Sequence, residues 1–122
     1  LGSEKEFVNV VDDQNGHPTW TYDLANAILL LIQRFENNEV KEIFHYSNEG
    51  TIPWNNFAEA IFYIGNKNCE VKPISTKEYG SKANRPAFSA LDKTKIKAFT
   101  GIKIPFWRES LIKCIEEIKN NN

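Results

Sequence analysis

VVDDQNGHPTW, residues 10–20, runs two β-branched side chains directly into two carboxylates, an amide and a turn. With Phe7-Val8-Asn9 ahead of it, the segment begins as a short strand over 7–11, because aromatic and β-branched residues suit a pleated, half-buried surface. Residues 12–17 follow as a polar turn. Gly16-His17-Pro18-Thr19 is stiff, since glycine admits unusual φ values and proline fixes its own. Next, Leu24, Ile28, Leu31, Ile32 and Phe35 recur at helical spacing and predict a helix over 21–35, with Thr21 or Asp23 available to cap its first turn.

Working outward from this strand, turn and helix, the pattern alternates. Ala25, Ala27, Leu29 and Leu30 add apolar surface to other sides of the first helix, so it wants cover on more than one face and implies a partner layer. Ile43-Phe44-His45-Tyr46 reads as a second strand, closed by the Ser-Asn-Glu-Gly turn at 47–50. Pro53 suits a first helical position, and Trp54, Phe57, Ile61 and Ile64 carry a helix to a stop at Gly65-Asn66. Residues 69–74 predict a third strand, cut by Pro73. Residues 77–89 have no clear period and read as a loop of about a dozen residues, long enough for a binding role. Leu91-Asp92 introduces a short helix through Phe99, stopped by Gly101. Pro105 precedes a last helix with Trp107, Leu111, Ile115 and Ile118 on one stripe.

A chain of 122 residues suggests one domain, with about two thirds of its unfolded surface buried. Fifteen basic residues against sixteen acidic give a net charge of -1, which excludes a general electrostatic footprint for nucleic acid or an anionic membrane. Anion binding must then be local. Cys69 and Cys114 match no metal or redox spacing, and a reducing cytoplasm is their simplest home. No apolar run approaches the roughly 20 residues that span a bilayer. The chain contains no Met, so its natural N-terminus is expected elsewhere and the chain reads as a fragment. Residues 1–5 read as a tag or linker remnant and the Asn-rich end, 120–122, as a disordered tail.

Among the side chains that carry chemistry, Asp12-Asp13 lacks a His or Cys to complete a metal set, and neighbours in an extended segment point to opposite sides. The better reading is one carboxylate bonded to backbone N–H groups of a turn and the other solvated. Gln14 offers both donor and acceptor to a polar ligand such as a sugar hydroxyl, or stands as a solvated turn residue. Arg85, locked before Pro86 in the long loop, has the planar fork that grips a phosphate or carboxylate in two places. Its alternative is a salt bridge within the loop or to a neighbouring domain. Trp20 and Trp54 can stack on a ring or simply pack. His17 and His45 have no nucleophile marked beside them and are not read as catalytic. There is no glycine-rich phosphate loop and no Tyr-x-x-x-Lys pair; Tyr63 and Lys67 have that spacing, but Gly65-Asn66 interrupts them.

Taken in order, VVDDQNGHPT, YDLANAI, EIFHYSNEGTIPWNNFAEAI, VKPISTKEYGSKANRPAFSALD and IPFWRESLIKCI resemble the C-terminal part of the dTDP-4-dehydrorhamnose reductase family, from about residue 6 to 118. The DDQ-x-G-x-PT and RPAFSALD blocks together carry the resemblance. It implies a small mixed α/β substrate-binding lobe of a Rossmann-type extended short-chain dehydrogenase, over residues 6–119, with the Rossmann half absent. The family reaction reduces the C4 ketone of dTDP-4-dehydro-L-rhamnose with NADPH to give dTDP-L-rhamnose for cell-surface polysaccharide. NADPH and the catalytic Tyr and Lys belong to the N-terminal half, so no catalytic residue is expected here and the chain alone should be inactive. The resemblance implies that Gln14, Pro18 and Thr19 lie at the cleft mouth, that Arg85 faces the diphosphate, and that Pro86 and Ser89 shape the loop. Partners implied are the nucleotide-sugar and the protein's own N-terminal Rossmann domain, with room for a homodimer. Some members bind Mg²⁺ through acidic residues, and none is assigned here. The regulatory subunit of methionine adenosyltransferase is similar in fold, and a non-catalytic binding role is the alternative reading.

Overall fold

The computed structural model describes residues 6–35 and 41–121; the remnant expected at 1–5 and the last residue of the expected tail, Asn122, lie outside them. In chain order the elements are β1 (Phe7–Val11), β2 (Asn15–Gly16), α1 (Thr21–Phe35), β3 (Ile52–Pro53), α2 (Trp54–Gly65), β4 (Glu70–Ile74), α3 (Thr76–Tyr79), α4 (Thr94–Thr100) and α5 (Trp107–Asn120). The architecture is mixed α/β. Two small sheets form among the described residues: β1 with β4 in parallel, and β2 with β3 antiparallel.

The β1–β4 register runs from Phe7 opposite Glu70 to Val11 opposite Ile74, so β4 continues through Pro73 rather than being cut there. Among the described residues β1 is β4's only strand neighbour, so β4 lies at an edge, where a proline is tolerated. A parallel pair needs a long crossover, and the chain from β2 to α2 supplies it. That crossover also builds the core. Ala60 of α2 meets Trp107 and Leu111 of α5, with Ile52, Phe57, Ile61, Ile64 and Ile115 packed around them. Phe57 and Trp107 meet edge to face at 5.9 Å and 81°, an arrangement the aromatic quadrupole favours. The α5 stripe is graded: Trp107 and Leu111 are buried, whereas Ile118 is exposed.

Three local readings change. First, 43–46 is not a strand; the segment is irregular and Ile43 is 76% exposed. Its β-branched and aromatic composition suits a strand, but propensity supplies no ladder partner, and none lies beside it among the described residues. Second, Pro53 precedes α2 as its N-cap, with φ -66° and ψ 151°, and Trp54 opens the helix; Asn66, at φ 53°, closes it as expected. Third, the 77–89 loop is preceded and partly occupied by the single turn α3. Ser75 and Glu78 form a reciprocal capping box there, a pattern legible in Ser-Thr-Lys-Glu. At the chain's end, α5 runs through Asn120, and the Asn121 N–H donates to the Glu117 carbonyl.

On α1 the first turn is held differently from the cap expected. Asp23 turns to other partners, and the Trp20 N–H just before the helix donates to the Asn48 side chain at 2.9 Å. Ala27 is the buried residue of this helix. Ile28, Leu29 and Ile32 are exposed, which leaves an apolar face without cover.

Candidate functional site

The turn after β1 is shaped by its own polar groups. Both Asp13 carboxylate oxygens accept the Thr76 backbone N–H, at 3.0 and 2.9 Å, and Oδ1 also accepts the Thr76 hydroxyl at 2.5 Å. These bonds hold the Asp13 carboxyl below its ordinary range, the hydroxyl contributing most. Because the Thr76 proton goes to Asp13, its oxygen is left to accept, and Gln14 Nε2 donates to it at 2.9 Å. That chain of bonds settles the amide orientation: Gln14 Oε1 is the end without a partner among the described residues. The Gln14 carbonyl takes the Trp54 N–H at 3.3 Å.

The Arg85 loop closes on the same turn. Asn15 donates to the Ala87 carbonyl at 2.8 Å, and the Ser89 N–H and hydroxyl both donate to the Asn15 carbonyl, at 3.0 and 3.1 Å. Ser89 thus pins the loop to β2, and a Cβ at Gly16 would come within 2.9 Å of the Trp54 ring and 3.1 Å of Ser89 Oγ. The two sequence blocks that stand out in isolation are bonded to each other. As a result Gln14 and Arg85 line one cleft of about 290 Å³, together with Asn9, Val10, Val11, Tyr79 and Ser81. Arg85 is exposed, and among the described residues no carboxylate pairs with it. Pro86 is exposed beside it.

Pro18 and Thr19 are placed elsewhere. They line a separate apolar pocket of about 260 Å³ with Trp20, Phe57, Trp107 and Cys114. A wider depression of about 640 Å³ carries Tyr63 and Lys67, but Gly65 ends α2 between them, so the pair is not on one helical face. His17 Nδ1 lies 2.8 Å from the Gly50 carbonyl and donates to it, while His45 is exposed. Trp20 and Tyr22 sit ring to ring at 4.8 Å.

The polar centre that sequence reading passes over is Asn48, fully buried. Its Nδ2 donates to Asp23 Oδ2 at 2.7 Å, Ser110 Oγ at 2.9 Å and the Pro105 carbonyl at 3.2 Å, and its Oδ1 accepts the Trp20 N–H. Ser110 donates to Asp23 Oδ2 at 2.5 Å. Buried Lys93 donates to the Asn48 carbonyl at 3.1 Å and pairs with Glu49 at 3.1 Å, while Lys97 also pairs with Glu49. Those ammonium groups, Lys97 foremost, hold the Glu49 carboxyl down. Desolvation pushes the neighbouring Tyr46 phenol up to about 12. Ser-Asn-Glu-Gly reads in isolation as a solvated turn, and only the later arrival of α5 buries it.

Among the described residues no group of three His, Cys, Asp or Glu side chains is placed to hold a metal. β1 leads directly into the turn that Asp13 bonds to Thr76. No helix of the described residues is long and apolar enough to cross a membrane.

The chain is 37% identical over 117 residues to spore coat polysaccharide biosynthesis protein SpsK of Bacillus subtilis (strain 168), covering 96% of this chain and 39% of that protein. It is 34% identical over 117 residues to dTDP-4-dehydrorhamnose reductase of Sinorhizobium fredii, covering 90% of this chain and 40% of the relative. Among solved structures, dTDP-4-dehydrorhamnose reductase of Bacillus anthracis in complex with NADP superposes with a TM-score of 0.88 at 35% identity, over 96% of this chain and 40% of that one. The chain therefore spans about two fifths of the length of the relatives it matches. Residues 1–120 match the RmlD substrate binding domain, and the chain belongs to that family.

Proposed function

We propose that this chain is the nucleotide-sugar side of an NADPH-dependent reductase that converts dTDP-4-dehydro-L-rhamnose to dTDP-L-rhamnose in cell-surface polysaccharide synthesis. The observation that carries the reading is the meeting of Gln14 and Arg85, from separate sequence blocks, in one cleft where Arg85 has no ion pair among the described residues. A guanidinium fork without a carboxylate partner suits a diphosphate, which it grips through parallel N–H···O bonds. Gln14 Oε1, held outward by the Thr76–Asp13 relay, accepts a ligand N–H or O–H. Pro86 stiffens the loop at Arg85 and Ser89 anchors it to β2. Pro18 and Thr19 lie in a neighbouring apolar pocket, where they meet the less polar parts of the sugar or of the companion half.

The chain's part in the reaction is therefore binding and orientation. Reduction of the ketone needs a nicotinamide and a proton donor, and on this reading the companion half supplies both. The companion is an N-terminal Rossmann half that covers the open apolar face of α1, where Ile28, Leu29 and Ile32 are exposed. A homodimer through the same face is the competing occupant, and sedimentation distinguishes the two. The free thiols Cys69 and Cys114 suit a cytoplasmic location.

The test is NADPH oxidation on dTDP-4-dehydro-L-rhamnose by the natural polypeptide that carries this chain, with the 122-residue chain as control. Turnover by the whole and none by the chain supports the reading. An NADPH-binding whole that turns over no sugar sinks it in favour of a non-catalytic binding role.

A further inference from the structure

We infer that Tyr79 is the platform on which the pyrimidine base of the bound nucleotide stacks. This rests on the nucleotide-sugar reading above and adds a contact that it does not contain.

Tyr79 is exposed at 61%, and among the described residues its ring has no aromatic or cationic neighbour. Its backbone is nevertheless tightly placed. The Tyr79 N–H donates to the Ser75 carbonyl at 3.0 Å, the Ser75–Glu78 capping box closes the turn around it, and Gly80 ends the turn in the left-handed region at φ 67°. The Thr76 bonds to Asp13 and Gln14 then lock this turn to the one that carries the Gln14 amide. Tyr79 and Gln14 are thus positioned by one network and line one cleft with Arg85.

The cleft holds three complementary parts. Arg85 offers charge for phosphate, Tyr79 offers a flat apolar face, and Gln14 Oε1 offers an acceptor. A pyrimidine nucleoside diphosphate presents an anion, a planar ring and a ring N–H. Val10 and Val11 line the same cleft and suit the methyl of thymine. A ribose or hexose carries neither the charge that the guanidinium grips nor a planar ring and ring N–H; it would meet the phenol only through C–H groups and Gln14 Oε1 only through a hydroxyl. Base-on-aromatic stacking gives the exposed ring a partner and is tolerant of small changes in ligand pose.

The test titrates the 122-residue chain with thymidine diphosphate and, separately, with inorganic pyrophosphate, read by nuclear magnetic resonance. The wild-type chain should bind the nucleotide more tightly than pyrophosphate. Tyr79→Ala should weaken the nucleotide by about tenfold while leaving pyrophosphate binding and the thermal midpoint unchanged. Tyr79→Phe should retain binding, and cross-relaxation should connect the thymine methyl to the Tyr79 ring. Nucleotide affinity unchanged in Tyr79→Ala but lost in Arg85→Ala would overturn the stacking role and leave the diphosphate grip standing. Cross-relaxation reaching Tyr79 only from ribose protons would overturn the base assignment. Failure of the wild-type chain to bind either ligand at millimolar concentration would remove both.

Discussion

Two polar clusters of this chain use similar groups to opposite ends. Around Asn48, a buried amide has every donor and acceptor engaged, tying the N-terminus of α1 to α5 and to the segment before α4. Around Arg85, the groups are half-buried to exposed, and among the described residues the Arg85 guanidinium and Gln14 Oε1 have no partner. A satisfied buried network holds a fold because each removed partner strands others in low dielectric. An unsatisfied exposed one is available to a ligand. The lesson is that density of polar residues does not mark a site; what remains unpartnered does.

The comparison breaks first at Asn48. Asn48→Ala strands the Trp20 N–H and takes one bond each from Asp23, Ser110 and the Pro105 carbonyl, and urea denaturation should show a loss of about 3 kcal/mol or more. A loss below about 1 kcal/mol would mean water replaces the amide and the hub is not structural. Next is Gly50→Ala. Gly50 sits at φ 90°, and a Cβ there would meet the Phe106 ring and approach Trp107 Cδ1 to 2.7 Å, so about 2 kcal/mol should be lost.

Thr76→Val sharpens the contrast, because it removes the hydroxyl bonds that tie the Asp13–Gln14 turn to α3 without touching the core. The Asp13 carboxyl lies below its ordinary 3.8 when folded, so its stabilisation is complete above that value and disappears as pH falls through the depressed one. The stability gap between wild type and Thr76→Val should be modest and constant near neutrality and should close below pH 3.8. A gap unchanged at acid pH would contradict the Asp13–Thr76 pairing. Smallest is Arg85→Ala, expected within about 0.5 kcal/mol of wild type because the side chain is exposed and unpaired among the described residues. A larger loss would reveal a structural ion pair and return Arg85 to the Asn48 class.

How far the sequence reaches follows the same divide. The α1 and α5 periods, the left-handed stops at Asn66 and Gly101, and the carboxylate bonding of Asp13 follow from local chemistry and are legible. Residues 43–46 have strand composition, but a strand exists only with a neighbour, and pairing is not written in composition. Asn48 looks like a turn residue because burial by α5 comes from 62 residues away. The Ser75–Glu78 box was within reach of local pattern and was hidden by the aperiodic loop that follows it. Gln14 and Arg85 are conspicuous by residue type, yet their meeting depends on the bonds between Asn15 and residues 87–89.

The most direct test of the account is to map thymidine diphosphate onto the backbone amides of the chain. Shifts concentrated at 12–16, 76–81 and 85–89 are the predicted result, with 47–50 and 107–111 undisturbed. Shifts centred instead on 18–21 and 107–114, or none at millimolar nucleotide, would contradict the claim that the Gln14–Arg85 cleft receives the ligand.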